Sequence, residues 1–303
     1  MQNNIVKSLE ITTQIGCPLM CTFCPQDKLN RAYKHPEKKM SLETYSTVLD
    51  KLPLDVEIVF AGYTEPWANK LCNTFVELAL QKGFNIQIYT TLYNITAEEC
   101  DRLVNVLMRY PTQVKQIWLH LPDTKKNMIG FRYNADYEYT LNCIKKLKNI
   151  PVYEMTMDEN SQVDSIIKAT TNPQSWYLHT RADNLNTDNI KEQFVHRPPR
   201  YEYIVECTRQ KEYHANILLP NGDVILCCMD YGLKHKLGNL LDQTYNDILI
   251  SKEIQQLHEL NNQIGFSEKT LCKSCNDAFC HTPWNNKKVW DIVAQNNPDS
   301  LGI

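Results

Sequence analysis

The sequence predicts an α/β chain: a partial (β/α)6 barrel of the TIM type over residues 1–197, then a smaller unit of β-hairpin and helix over residues 198–303. Three observations carry this. Six apolar runs of strand length alternate with stretches of helical period, which is the pattern of a parallel sheet covered by helices. A cysteine-rich loop follows the first run, and polar residues stand at the ends of several others, where barrels of this kind gather their chemistry. Beyond Pro198-Pro199 the alternation stops, and a hairpin signal and a cysteine-rich tail take over.

Taken in order, Lys7 to Thr13 alternates Leu9, Ile11 and Thr13 with polar neighbours and reads as the first strand. Ser41 caps a helix to about Leu52 with Leu42, Tyr45, Val48 and Leu49 on one face. Val56–Phe60 is the second strand. A helix from Leu71 to Gln81 closes at Gly83, a strand runs from Asn85 to Thr90, and Thr96-x-x-Glu99 forms a capping box for the next helix. Then come the strand Lys115–Leu121, the helix Tyr137–Leu147, the strand Val152–Met157, the helix Val163–Ala169 and the strand Trp176–Thr180. In the smaller unit, Tyr213–Leu219 and Val224–Cys227 flank the turn Asn221-Gly222 as a hairpin. A helix from Thr244 to about Ile264 follows, with a break expected near Ser251.

Composition narrows the class. Hydrophobic residues at 43% and charged ones at 22% are ordinary for a globular protein. A net charge of -3 with mixed signs supplies no broad basic field for nucleic acid and no polybasic segment for a membrane. The start lacks a signal-peptide pattern, no run approaches the length of a membrane span, and a cytoplasmic location is expected. Twelve cysteines in a reducing compartment point to metal or catalysis more than to disulfides. Cys72, Cys100 and Cys143 fall singly within helical patterns, as small buried apolar side chains do.

The chemistry begins at Cys17-Pro18-Leu19-Met20-Cys21-Thr22-Phe23-Cys24-Pro25. Three thiolates on one short loop can hold three irons of a 4Fe-4S cubane and leave the fourth iron open. Three structural cysteines, or half of a zinc site, are the plainer alternatives. Where the second strand ends stands Gly62-Tyr63-Thr64-Glu65-Pro66, a carboxylate and strand-end carbonyls able to face an ammonium, with a glycine that permits close approach. The cysteine loop, with Glu65 one βα unit later, resembles the radical S-adenosylmethionine (SAM) superfamily. Thr64 stands where that family usually has glycine, and His120 where it usually has serine. The resemblance implies that the amino and carboxylate groups of SAM occupy the open iron of a cluster held by Cys17, Cys21 and Cys24. It also implies that Phe23, Gly62, Thr64, Glu65, Thr90 and His120 surround SAM, and that Arg181, at the end of the sixth strand, serves catalysis by meeting a carboxylate or substrate hydroxyls.

A second set is Cys207, then Gly222-x4-Cys227, then Cys272-x2-Cys275. By chemistry alone it also suits a four-thiolate zinc site, and Cys228 and Cys280 are neighbouring thiols that could take part. Its spacing is similar to that of the twitch domain, the shortened form of the SPASM domain that follows many radical SAM barrels. That likeness implies one auxiliary 4Fe-4S cluster on Cys207, Cys227, Cys272 and Cys275.

What the resemblance implies for mechanism is reductive cleavage of SAM to a 5'-deoxyadenosyl radical, removal of a substrate hydrogen, and an auxiliary cluster that takes up an electron. The layout is similar to the 2-deoxy-scyllo-inosamine dehydrogenase branch, which oxidises an aminocyclitol alcohol. With the first cysteine loop beginning at Cys17, room for a leader-peptide domain ahead of it is not expected. The expected partners are therefore a small polar substrate (sugar, cyclitol or nucleotide sugar) and a flavodoxin- or ferredoxin-type electron donor. Peptide modification, redox-neutral epimerisation or elimination, and a non-catalytic metal or electron-transfer role are the alternatives.

Overall fold

A computed structural model describes residues 7–158, 161–167, 173–175, 178–185, 195–196, 200–210, 212–282 and 285. The barrel half runs β1 (Lys7–Ile11), α1 (Gln26–Ala32), α2 (Leu42–Asp50), β2 (Val56–Phe60), α3 (Cys72–Gln81), β3 (Ile86–Thr90), α4 (Ala97–Arg109), β4 (Val114–His120), α5 (Ala135–Lys145) and β5 (Val152–Thr156). Short strands follow: β6 (Gln174–Ser175), β7 (Leu178–His179) and β8 (Val195–His196). The remainder comprises β9 (Ile204–Cys207), β10 (Ala215–Leu218), β11 (Asp223–Ile225), β12 (Lys236–Asn239), α6 (Tyr245–Leu249), α7 (Lys252–Asn261) and β13 (Ala278–His281).

One sheet has the order β12-β11-β10-β1-β2-β3-β4-β5-β6. From β10 to β6 every pairing is parallel; burial is complete along β2 and falls off toward the edge, where both residues of β6 are exposed. Val56, Ile58 and Phe60 of β2 are fully enclosed. The helices begin where their N-caps dictate. Ser41 Oγ accepts from Thr44 N, and Thr96 and Glu99 complete a reciprocal capping box. α4 then buries Cys100, Leu103, Val106 and Leu107 on one face. Each aliphatic side chain so enclosed contributes about 1.5–3 kcal/mol.

Three expectations are corrected. The sixth place in the sheet is taken by β6, Gln174–Ser175. The expected strand Trp176–Thr180 is represented by β7, which pairs with β8 outside that sheet; Trp176 and Tyr177 lie outside the described residues. The expected helix Val163–Ala169 is not formed over its described part: Val163 bridges to Asp123, Asp164 N donates to Pro122 O, and Lys126 pairs with the Asp164 carboxylate. Backbone and side-chain contacts together tie the segment to the loop after β4, and within the segment a single turn forms, Ile167 N to Asp164 O at 2.8 Å and Ile166 N to Asp164 Oδ1 at 3.3 Å. Pro198-Pro199 lie outside the described residues.

The hairpin of the second unit does not stand apart. β10 pairs with β1, Ser8 to Ala215 through Ile11 to Leu218, and β11 and β12 extend the sheet antiparallel. Asn216, fully buried in β10, donates to Tyr213 O and Leu226 O and accepts from Tyr245 Oη at 2.7 Å. The expected break in the long helix falls at Ile250-Ser251, where Ser251 caps α7.

Candidate active site

β1 delivers the chain into the Cys17–Cys24 loop, and the loop after β4 holds it there. Thr22 N donates to Asn127 O at 2.9 Å, Gly130 N to Leu19 O at 2.7 Å, and Cys21 bridges to Met128. Gly130 has no room for a side chain, because an added Cβ would lie 1.9 Å from Pro18 O. Cys17, Cys21 and Cys24 are half-buried free thiols. Burial lifts Cys17 to about 11, against the pull of the Glu65 and Leu19 amides, and raises Cys21 further with help from Cys24 and Cys17 nearby. Each of the three expected first-cluster ligands thus lies near enough to another to feel its charge.

Gly62 carries a φ of +68°, and a Cβ there would meet Thr12 Oγ1 at 2.5 Å. That turn lets Tyr63 N donate to Thr12 Oγ1 at 3.1 Å and sends Glu65 inward. The Glu65 carboxylate joins the ends of two strands: Oε2 accepts from Thr91 N at 2.8 Å and Thr91 Oγ1 at 2.9 Å, and Oε1 from Thr90 Oγ1. Burial nevertheless pushes its pKa up to about 7. Thr64 is buried, with Oγ1 3.4 Å from Gly16 O. Thr90-Thr91, the pair that the sequence places at the end of the third strand, thus both reach this carboxylate.

A cavity of about 510 Å³ opens beside these strand ends. Glu10, Glu57, Gln87, Tyr89 and His120 of the barrel strands line it, together with Phe23 and Gly62. Burial, with the Arg181 charge, holds His120 down at about 4, so the ring is neutral at neutral pH. Arg181 also lines the cavity, but from a left-handed turn two residues past β7, where Arg181, Ala182 and Asp183 all have φ between 52° and 59°. It does not end a strand of the main sheet.

Across the cavity stand Cys207, Cys227, Cys228, Cys272 and Cys275. Burial raises all five, most strongly Cys227 and Cys275. Cys227 also feels Cys275 and Cys272, while Cys272 and Cys275 feel Cys207, so the four expected auxiliary ligands gather together. Cys228 faces elsewhere. Its sulfur accepts from Arg209 Nη1 at 3.3 Å and lies near Glu10 and Arg181. Cys280 sits in β13 opposite Val205, apart from that group.

The pair Cys272-x2-Cys275 is built around a residue that sequence reasoning missed. Lys273 is fully buried and donates Nζ to Tyr203 O at 2.7 Å, Gln263 O at 2.8 Å and Gly265 O at 2.9 Å. Among the described residues no three His, Cys, Asp or Glu side chains converge on one point as ligands of a single ion would. Ligands of a cubane sit at separate corners and need not converge. Two groups of neighbouring thiols, largely half-buried, are compatible with cluster ligation.

With this geometry in place, comparison is informative. Residues 207–276 match the SPASM family, described as an iron-sulfur cluster-binding domain. The structure of BtrN in complex with AdoMet and 2-DOIA superposes with a TM-score of 0.58 at 19% identity, covering 91% of this chain and 94% of that one. The chain shares the fold of that structure over nearly its whole length, and its residues 207–276 match a SPASM domain. An open conformation of BtrN gives 0.51 at 15% identity over 96% and 99% of the two chains. Native anSMEcpe with bound AdoMet gives 0.52 at 14% identity over 89% and 86%. No curated protein matches the chain in sequence. The SPASM match begins at Cys207 and includes Cys227, Cys272 and Cys275 but not Cys280. No helix among the described residues is long and apolar enough to cross a membrane.

Proposed function

We propose that the chain is a radical SAM oxidoreductase that oxidises an alcohol carbon of a small polyhydroxylated substrate such as a sugar, cyclitol or nucleotide sugar. One observation carries the reading. A single cavity touches both the strand ends beside the first cysteine loop and the auxiliary thiols, so a molecule inside it lies between the two. Its volume, about 510 Å³, suits a small ligand.

In this reading Cys17, Cys21 and Cys24 hold the SAM-binding 4Fe-4S cluster, and Cys207, Cys227, Cys272 and Cys275 hold the auxiliary one. Phe23, Gly62, Thr64, Glu65, Thr90 and His120 enclose SAM. When bound, SAM and the two clusters supply hydrogen-atom abstraction and an electron acceptor, which together make a two-electron oxidation. The chain's own residues bind and orient the substrate. Arg181 and Arg209 offer donors to hydroxyl oxygens, and Glu10 and Glu57 offer acceptors. As the alcohol becomes a carbonyl its hydroxyl proton must leave, and the neutral His120 ring is available to take it. Phe23, Met155 and Met157 line the same cavity with apolar surface that limits water.

Neighbours of this fold differ in ligand: one BtrN structure holds 2-DOIA, and one anSMEcpe structure holds the Cp18Cys peptide. Anaerobic incubation with SAM, a flavodoxin- or ferredoxin-type donor and candidate alcohols, followed by mass spectrometry, separates the outcomes. A loss of two mass units from a sugar or cyclitol supports oxidation. An unchanged mass with altered stereochemistry, or change only in a peptide, overturns it.

A further inference from the structure

Tyr231 belongs to the SPASM domain, in the turn just after Cys227 and Cys228, yet its hydroxyl reaches the first cysteine loop. Its Oη lies 3.2 Å from Cys24 Sγ, a contact across 207 positions of sequence. The ring is held from behind by Tyr63, centroid to centroid 4.6 Å. Tyr63 in turn donates its hydroxyl to Cys227 O at 2.8 Å and Asp230 O at 3.0 Å. The turn is fixed at its other side, where the Asp230 carboxylate accepts from Lys234 N and His235 N at 2.9 and 2.7 Å. Tyr231 is only 5% exposed, so little water competes for its hydroxyl.

This matters for a sulfur that ligates iron. An iron-bound cysteine is a thiolate without a proton, so between Cys24 and Tyr231 only the tyrosine can donate. A hydrogen bond to a cluster sulfur stabilises the reduced state, which carries one more negative charge, and such bonds are among the determinants of cluster potential. Gln26 Nε2 adds a second donor to the same sulfur at 3.2 Å, and it also donates to Tyr63 O at 2.5 Å. Cys24 is thus solvated by two protein donors, one of them from the auxiliary domain.

We propose that Tyr231 sets the reduction potential of the first cluster and is the residue through which the SPASM domain acts on it. The Tyr231 hydroxyl holds that potential up and eases the entry of the electron that SAM cleavage requires. Tyr63, bonded to the carbonyl of an auxiliary ligand, keeps Tyr231 in place. A filled auxiliary site therefore favours a reducible first site. The proposal rests on the radical SAM reading, because Cys24 must ligate the cluster.

The test is potentiometry followed by electron paramagnetic resonance on anaerobically reconstituted protein, with the first cluster recognised by the change in its signal on adding SAM. Y231F keeps the ring against Tyr63 and removes only the donor. Its first-cluster midpoint is expected to shift to more negative potential, with the auxiliary midpoint and the iron content unchanged. C272A should shift the first midpoint in the same direction, and combining it with Y231F should add less than the sum of the two. An unmoved first midpoint in fully loaded Y231F overturns the proposal. Should Y231F fail to load, C272A decides, and an unmoved first midpoint there overturns it. A wild-type protein without any SAM-responsive cluster signal would instead overturn the radical SAM reading.

Discussion

Replacing Lys273 by methionine keeps the apolar stem and removes the ammonium that pins Tyr203, Gln263 and Gly265 carbonyls to the Cys272-Cys275 turn. Hydrogen bonds to a charged group are worth about 1.5–3 kcal/mol each, so three lose roughly 6 kcal/mol. No longer burying an ammonium returns several kcal/mol, which leaves a net loss of about 3 kcal/mol. The loss is local: Tyr203 leads into β9, Gly265 follows α7, and the Cys272–Cys275 turn that Lys273 ties to both carries two thiols. The expected result is a lower unfolding midpoint and a protein that keeps the iron of the first site while losing that of the auxiliary site. Iron analysis and thermal unfolding measure both. Full iron content with wild-type stability would refute the claim that Lys273 organises the auxiliary ligands.

Three further outcomes follow from the site. G130A forces a Cβ to within 1.9 Å of Pro18 O, so the cysteine loop must shift, at a cost on the order of 3 kcal/mol; iron should fall at the first site alone, and normal iron content would contradict the packing argument. C227S should lose the auxiliary cluster while C228S keeps it, because only Cys227 joins Cys272 and Cys275; the reverse pattern of iron content would reassign the ligand. His120 is half-buried and neutral, with desolvation lowering its pKa from 6.5 to about 4, so between these values the unfolded chain binds a proton that the folded chain does not. Its contribution to stability is present above pH 6.5 and is lost as pH falls through about 4. Denaturant unfolding of the cluster-free protein should therefore lose stability less steeply with acid in H120Q, and an unchanged slope would contradict it.

Much of the frame was legible because it is local. Val56–Phe60 has the expected bounds, and Ser41 and Thr96 cap the helices that their side chains announce. Both cysteine groups were written as spacing. Distant contacts left no such trace. The pairing of β10 with β1 joins residues some two hundred positions apart, and nothing in either strand names its neighbour. Lysine is ordinarily exposed, so Lys273 could not be read as a buried keystone. Gly130 and Tyr231 matter only through Pro18 and Cys24, contacts that exist once the fold brings separate loops together. The helix expected at Val163–Ala169 failed where Asp164 found partners outside its own segment.

The central claim is that one cavity lies between two clusters, the first of which cleaves SAM. Anaerobic reconstitution followed by iron analysis and reduction in the presence of SAM tests it most directly. The account predicts about eight irons per chain, as two four-iron clusters, and 5'-deoxyadenosine formed on reduction; in C21A the auxiliary irons should remain and 5'-deoxyadenosine should disappear. Zinc in place of iron, or a fully loaded protein that leaves SAM intact, would contradict it.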